Sequence, residues 1–310
     1  MTSYLADLTF RLLSGAVKLD EPRKSSLQQF FLSAQTEDGG FSGRSYESDL
    51  YYTAFALRGL FLLGVLDDPK LLQSVSTFLA HKENQEMRPT DLASFLFSST
   101  FVKMANETGF SAGEKNKILT QWKKFQRADG CFASSEQTEY SSTYTTFLAA
   151  VSFEMLGAEE EKQKIPIAPI LAKQRPDGGF VELSLLRQSG TNPTAAAIAF
   201  LKMQNVEVPN KQETVRFFLT RQTPQGGFQA HTRIPVPDLL SSFTSAVALT
   251  DLQAEKQCRF DLLRSFLNDL RLPDGGYGGN IRDCQSDVEY TFYGLALESL
   301  LLLSEQDFLD

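Results

Sequence analysis

The chain has 310 residues, of which 42% are hydrophobic, and a net charge of −8. That length allows one large domain or two ordinary ones, with a sizeable buried core. The acidic balance, with no long basic run, argues against a nucleic-acid partner, which needs a clustered positive footprint.

Met1 to Asp20 lacks a basic segment followed by an apolar one, and no stretch reaches the ~18 uninterrupted apolar residues of a membrane-spanning helix. The expectation is a soluble, cytoplasmic protein without a membrane span. Cys131, Cys258 and Cys284 are odd in number, far apart and free of any C-x-x-C pairing, so neither disulfides nor a structural zinc or redox motif is expected.

In chain order, the apolar rhythm of Leu5 to Leu19 predicts an opening helix, and Ser25 to Ala34 a second one. A turn follows, Gln35-Thr36-Glu37-Asp38-Gly39-Gly40-Phe41, in which two glycines stop the helix and the aromatic pins the turn onto a neighbour. A long helix starts near Asp49, with Tyr51, Tyr52, Phe55, Leu57, Leu60 and Phe61 distributed around it, so it should be buried on several sides. The same grammar returns at Gln126 to Phe132, Gln174 to Phe180 and Gln222 to Phe228, and last in the unit that opens at Pro273 with Pro-Asp-Gly-Gly-Tyr and runs to Leu303, each time followed by an apolar helix. The first glycines fall at 39, 130, 178, 226 and 275, so the later intervals are 48, 48 and 49 residues and the first, 91, is close to two periods. One copy has lost its turn. It is visible as Leu71 to Leu79 followed by Asp91 to Phe97, where Asp91 is expected to open a helix as Asp49 does.

Six helical hairpins result, each with an amphipathic first helix and a nearly all-apolar second one. Two concentric layers bury both sets, whereas an open solenoid would need a polar concave face that the second helices lack. The expected fold is all-α, an α/α toroid or six-hairpin barrel, in one domain over residues 1–310. Its parallel second helices would present Asp49, Asp91, Asp238 and Asp287 at one mouth, where they serve either as N-caps or in a site.

The recurrent Q-x-x-[DQ]-G-[GC]-[FY] turn before an apolar helix resembles the prenyltransferase and squalene-cyclase repeat, over nearly the whole chain. Within it the chain is similar to the β-subunit of protein prenyltransferases, nearest the Rab geranylgeranyl type. Class II terpene cyclases, the other branch, use an Asp-x-Asp-Asp acid, and no such string occurs here. The resemblance implies a lumen for an isoprenoid tail, a basic rim for its diphosphate and a catalytic zinc that activates a substrate thiol. The zinc ligands would be an Asp-x-Cys pair in the fifth repeat and a His in the sixth. Here Asp238 keeps its place after Pro237, but Leu240 stands at the cysteine position and Tyr290 at the histidine position. No metal or other cofactor is expected, zinc being lost with two of three ligands.

For the diphosphate rim the resemblance offers His231, Arg233, Arg187 and Arg282, which either gather around an anion or remain solvated surface charge. Ser241 stands at the rim's tyrosine position and Gly190 near that of its histidine. For the lipid pocket it offers Tyr52, Phe147, Ala196 and Thr244, with Tyr144, Phe243 and Leu240 close by on the same helices; these either line a tunnel or fill the centre. Three functions stay open. The first is an isoprenoid-binding or protein-interaction module without zinc. The second is a divergent prenyltransferase or terpene cyclase acting on prenyl diphosphate through Asp238, Asp287, Glu289 and Tyr290. The third is a purely structural module with a closed lumen. The partners implied are an isoprenoid or prenyl diphosphate, and a protein subunit or a second copy as a homodimer.

Overall fold

The computed structural model describes residues 3–304. The expected domain bounds of 1–310 therefore include residues 1–2 and 305–310, which lie outside the described residues. After an opening helix, α1 (Tyr4–Ala16), the predicted hairpins follow in order. They are α2 (Glu21–Ser33) with α3 (Leu50–Leu62), α4 (Pro69–Lys82) with α5 (Pro89–Ala105), and α6 (Ala112–Phe125) with α7 (Thr143–Met155). The fourth pairs two short helices, α8 (Glu159–Gln163) and α9 (Ala168–Leu171), with α10 (Thr191–Met203). The last two are α11 (Lys211–Leu219) with α12 (Leu239–Asp251) and α13 (Phe260–Asp269) with α14 (Val288–Ser304). The first helix of the fourth hairpin is broken because Pro166 and Pro169 remove backbone donors where a continuous helix would need them.

The starts of the second helices follow from their capping residues. Asp49 accepts from Tyr52 N–H at 2.7 Å, Ser142 from Thr145 N–H at 2.9 Å, Asp238 from Ser241 N–H at 2.7 Å and Asp287 from Tyr290 N–H at 2.8 Å. Each such cap is worth about 1 kcal/mol. Asp91 does not behave as expected. α5 begins earlier, with Arg88 as its cap residue and Pro89 in the first turn, so Asp91 lies inside that turn. Proline, preset for the first helical position, moves the start ahead of the aspartate.

The Gly-Gly turns are small closed loops. In all five, the residue that opens the turn bridges the aromatic in antiparallel fashion, as in Gln174 with Phe180 and Gln222 with Phe228. In the first hairpin the pairing extends to two short strands, β1 (Phe41–Ser42) and β2 (Ser48–Asp49). Four turns begin with a glutamine, whose side-chain amide donates to the first glycine's carbonyl, as Gln222 does to Gly226 O at 2.9 Å. The turns also seat on the next hairpin's first helix. Gly226 has φ +98°, and a Cβ there would lie 2.0 Å from Leu262 O, so both backbone conformation and space require glycine.

The chain forms two compact units, comprising among the described residues 3–7 with 119–269 and 8–118 with 270–304. In the first, α7 packs on α10, α10 on α12 and α11 on α12. In the second, α14 packs on α3 and α3 on α5, with α2 and α4 against them. No described helix is long and apolar enough to cross a membrane. All three cysteines are free; burial pushes the thiols of Cys131 and Cys258 up to about 12, and Cys284 is exposed.

Candidate functional site

In the first unit the helix starts and the loops before them are laced together. Thr143 N–H donates to Glu182 O at 3.0 Å and its hydroxyl to Val181 O at 2.7 Å, tying α7 to the fourth hairpin's loop. One repeat later Thr191 N–H donates to Ala230 O at 2.8 Å and its hydroxyl to Gln229 O at 2.5 Å, tying α10 to the fifth. Asp238 sits at the end of that fifth loop. Its Oδ1 accepts from Ser241 N–H, and its Oδ2 from Ser241 Oγ at 2.8 Å. Burial raises its carboxyl pKa. Ser241, at the position where the resemblance expects a rim tyrosine, thus closes a small ring with the cap.

Arg187 and Arg233, on neighbouring loops of this unit, are exposed, and Gln188 Nε2 bonds Thr232 Oγ1 between them at 2.7 Å. His231 Nδ1 accepts from Arg233 N–H at 3.2 Å within one turn. Ala196 is buried on α10 and Phe243 on α12. The Thr244 hydroxyl donates to Asn192 Oδ1 and Leu240 O, at 2.8 and 2.9 Å, which joins α12 to α10. Leu240 is half-buried beside it. Tyr144 is 40% exposed and stands 6.4 Å, ring to ring, from half-buried Phe147.

The second unit holds Asp287, Glu289, Tyr290, Tyr52 and Arg282. Asp287 is buried, and each of its oxygens has a partner: Tyr290 N–H on Oδ1 and, at 3.0 Å, Arg44 Nε on Oδ2. Burial raises its pKa against that pairing. Arg44 also bonds Asp283 and the carbonyl of Gln285, and its guanidinium lies 5.6 Å from the centre of the Tyr290 ring. That ring occupies a space only glycine leaves open, since a Cβ on Gly279 would lie 2.6 Å from Tyr290 Cζ. Glu289 accepts from Tyr51 Oη at 2.7 Å, and burial raises its pKa. The Tyr52 phenol is raised by burial and then by the carboxylates of Asp287 and Glu289. Arg282 is exposed on the loop. Deeper, α3 and α14 meet through aromatic rings: Phe55 is 5.4 Å from Phe292 and 5.3 Å from Tyr293. Arg58 lies over the rings of Phe292, Phe97 and Phe55 at 4.1, 5.0 and 5.3 Å.

The positions that the resemblance assigns to zinc thus hold a carboxylate already bonded twice to Ser241, a leucine with no donor atom, and a tyrosine ring packed on Gly279. This donor set does not fit a catalytic zinc, which needs three ligand side chains free to turn toward the metal. Among the described residues no group of three His, Cys, Asp or Glu side chains is placed to hold a metal ion.

Two features escaped the sequence reading. Arg44, flanked by Gly43 and Ser45, carries no motif, and its partners lie some 240 residues away. The second feature had a visible signal. A hydroxyl residue four positions after each cap accepts the N–H of the turn aromatic, as Thr53, Thr146, Thr194, Ser242 and Thr291 do for Phe41, Phe132, Phe180, Phe228 and Tyr277 at 2.8–3.1 Å. The spacing of 14 residues between aromatic and hydroxyl recurs in the last four copies, from Phe132 and Thr146 to Tyr277 and Thr291.

Among solved structures, the chain is similar to Candida albicans protein geranylgeranyltransferase-I complexed with GGPP, at 19% identity over 92% of each chain with a TM-score of 0.69. It is also similar to the type II terpene cyclase MstE from Scytonema, at 12% identity over 95% of this chain and 99% of that one, TM-score 0.61. A third similar structure is the GH76A alpha-1,6-mannanase from Salegentibacter sp. HEL1_6, at 15% identity over 91% of this chain and 98% of that one, TM-score 0.62. At these identities the likeness is one of fold, and it extends to three different chemistries. No curated protein sequence matches the chain. The profile of the prenyltransferase alpha-alpha toroid domain matches residues 3–296, and with the hairpin repeat and the helical architecture this places the chain in the prenyltransferase alpha-alpha toroid family.

Proposed function

We propose that the protein is a prenyltransferase β-subunit-like module that binds an isoprenoid or a protein partner and does not carry out zinc-dependent prenyl transfer. The observation that carries this reading is the donor set: Leu240 and Tyr290 replace two ligands, and Asp238 is bonded at both oxygens to Ser241. Two neighbours in fold are described with geranylgeranyl compounds, GGPP in the transferase and geranylgeranyl dihydroxybenzoate in the cyclase, which makes a geranylgeranyl chain the first ligand to test. Small Ala196 on α10 and the apolar rings of α7 and α12 supply the surface for such a tail, and Arg187 and Arg233, with the His231 imidazole beside Arg233, supply positive charge and polar contacts near the helix starts.

A second reading, a zinc-independent transferase or cyclase, draws on Glu289, a carboxyl held toward its protonated form by burial and bonded to Tyr51. Against it, the aromatic faces of Phe55, Phe97 and Phe292, which would stabilise a carbocation, already face the Arg58 guanidinium. Incubation of the purified protein with radiolabelled geranylgeranyl diphosphate, with and without a cysteine-bearing acceptor and zinc, separates the readings. Saturable binding with no product is expected. Zinc-dependent transfer overturns the module, a hydrocarbon or cyclic product that is lost in Glu289→Gln supports the second reading, and no binding leaves a structural module.

A further inference from the structure

We propose that Arg23, Arg271, Tyr277 and Glu298 form a latch that selects the helix on which the last turn seats, so that the sixth hairpin closes on α2 and on no other first helix of the repeat. The need for selection comes from the likeness of the repeats. In four turns the second glycine rests on a phenylalanine of a first helix in the same way: a Cβ on Gly40, Gly179, Gly227 or Gly276 would lie 2.5–2.7 Å from the ring of Phe78, Phe217, Phe266 or Phe30. By shape alone, each of these turns fits several first helices. A head-to-tail contact of this kind closes a ring only when the last unit meets the first; seated elsewhere, it leaves an open end that adds further molecules.

The last turn departs from the others at three positions together. It opens with Arg271 where the others have Gln35, Gln126, Gln174 and Gln222, and its aromatic is Tyr277 where they have phenylalanine. Seven residues after the hydroxyl that accepts the aromatic N–H, α14 carries Glu298, where the other second helices bury Leu60, Phe153, Leu201 and Leu249. These three side chains meet. The Tyr277 hydroxyl donates to Glu298 Oε2 at 2.7 Å, Arg271 Nε to the Tyr277 hydroxyl at 3.3 Å, and Arg271 Nη2 to Glu298 Oε1.

The fourth member comes from α2. Arg23 Nε donates to Glu298 Oε2 at 3.3 Å and its Nη1 to Gly275 O at 3.1 Å, while the guanidinium lies 4.9 Å from the centre of the Tyr277 ring. The side chains of Arg23 and Glu298 are only 13 and 12% exposed, so each needs the other to offset its lost hydration. Arg23 stands seven residues before Phe30. The equivalent residue is Leu71 on α4 and Asn210 ahead of α11, neither of them a cation, and Arg259 ahead of α13, which donates to the carbonyl of Thr223 in the fifth turn. Seated on α4 or α11, the last turn would bury Glu298 without its second cation. Seated on α2, any other turn would set Arg23 against a leucine or a phenylalanine. Both errors leave a desolvated charge short of a partner, whereas apolar residues in every seam would accept every pairing. The α2 of a second molecule carries the same Arg23, and there the effective concentration within one chain favours its own helix.

The test copies the first seam into the last. The quadruple variant Arg23→Leu, Arg271→Gln, Tyr277→Phe, Glu298→Leu gives the sixth turn and α2 the residues found at Leu71, Gln35, Phe41 and Leu60. Full-length variant and wild type are diluted from urea at several protein concentrations, and the products are separated by size-exclusion chromatography. Monomer recovery of the variant should fall by about half or more at the higher concentrations, with the balance in oligomers. The unfolding midpoint of its monomer should stay at or above that of wild type, because apolar packing replaces a buried ion network without loss. Recovery equal to wild type overturns the proposal. So does a lowered midpoint, with or without oligomers, since the network then acts on stability alone. If the quadruple variant does not fold, Arg23→Leu decides, because it leaves Glu298 bonded to Arg271 and Tyr277: a shift to oligomers supports the latch, and undiminished monomer recovery overturns it.

Discussion

Arg44, on the loop between the first two hairpin helices, donates from Nε to Asp287 Oδ2 at 3.0 Å, so the first and sixth repeats are clasped at their helix starts. Asp287 is the more buried partner, which makes the bond asymmetric: without Arg44 the carboxylate keeps its desolvation cost and loses its compensation. Arg44→Ala should cost about 1.5–3 kcal/mol in urea unfolding. Combined with Asp287→Asn, which keeps the cap and removes the charge, the loss should be well below the sum of the two singles. Additive losses would show that the pair is not coupled.

Asp238 offers a pH test of burial. Its folded pKa is raised above the usual carboxylate range, so its contribution to stability is fully present below the unfolded value and is lost as pH rises through the folded value. Asp238→Asn preserves a good cap while deleting the titration. The variant should therefore be at least as stable as wild type at neutral pH, and its advantage should shrink as the pH falls toward ~4. Unfolding free energies measured across that range check the sign. An advantage that grows on acidification would mean that the Ser241 hydrogen bonds, and not burial, dominate this carboxylate.

Zinc content tests the reading of the lost ligands. Elemental analysis of purified protein should find well under one zinc per chain, and Asp238→Ala should not change it. A full equivalent that survives mild chelation and disappears in Asp238→Ala would restore the metal to this site.

Ala196 is 6% exposed on α10, and Ala196→Phe distinguishes a ligand space from a filled centre. If the side chain borders space that a tail occupies, the variant should lose isoprenoid binding with little change in melting temperature. If neighbours already fill that space, overpacking should cost about 1–3 kcal/mol.

The hydroxyl of Ser242 accepts the buried N–H of Phe228 at 2.9 Å. Ser242→Ala leaves that donor without a partner in the interior, so a loss of about 1–3 kcal/mol is expected, recovered largely by Ser242→Thr, the residue used in the other four copies. Chemical denaturation of the two variants side by side is sufficient.

The hairpins were legible in the sequence because their determinants are local. A Gly-Gly turn, a capping aspartate and the apolar runs of α3, α10 or α12 act within a few residues of one another, and repetition averages out the exceptions. What stayed hidden depends on distance along the chain. Arg44 has no pattern of its own, and only the folded chain brings it to Asp283 and Asp287. Asp91 misled because an aspartate near a helix start reads as a cap unless the proline ahead of it is weighed. The candidate site was legible as a set of positions, since Leu240 and Tyr290 are visible as replacements, but not as chemistry. That Asp238 is bonded twice to Ser241, and that Thr244 turns its hydroxyl to Asn192, are facts of side-chain direction that spacing does not encode.

The seating of each turn on the following hairpin also bears on how the chain folds. The turn at Gly226 rests on Leu262, and that at Gly178 on Glu213, contacts a few dozen residues apart that can form as the chain lengthens. The last turn rests on the second helix: Gly275 meets Ser26, about 250 residues upstream. Such a contact carries a far larger loop-closure cost and belongs to the slow end of topological search. During synthesis the faces of α2 and α3 that pack on α14 therefore stay uncovered until α14 has been made, and bare apolar surface of that kind favours aggregation while it lasts.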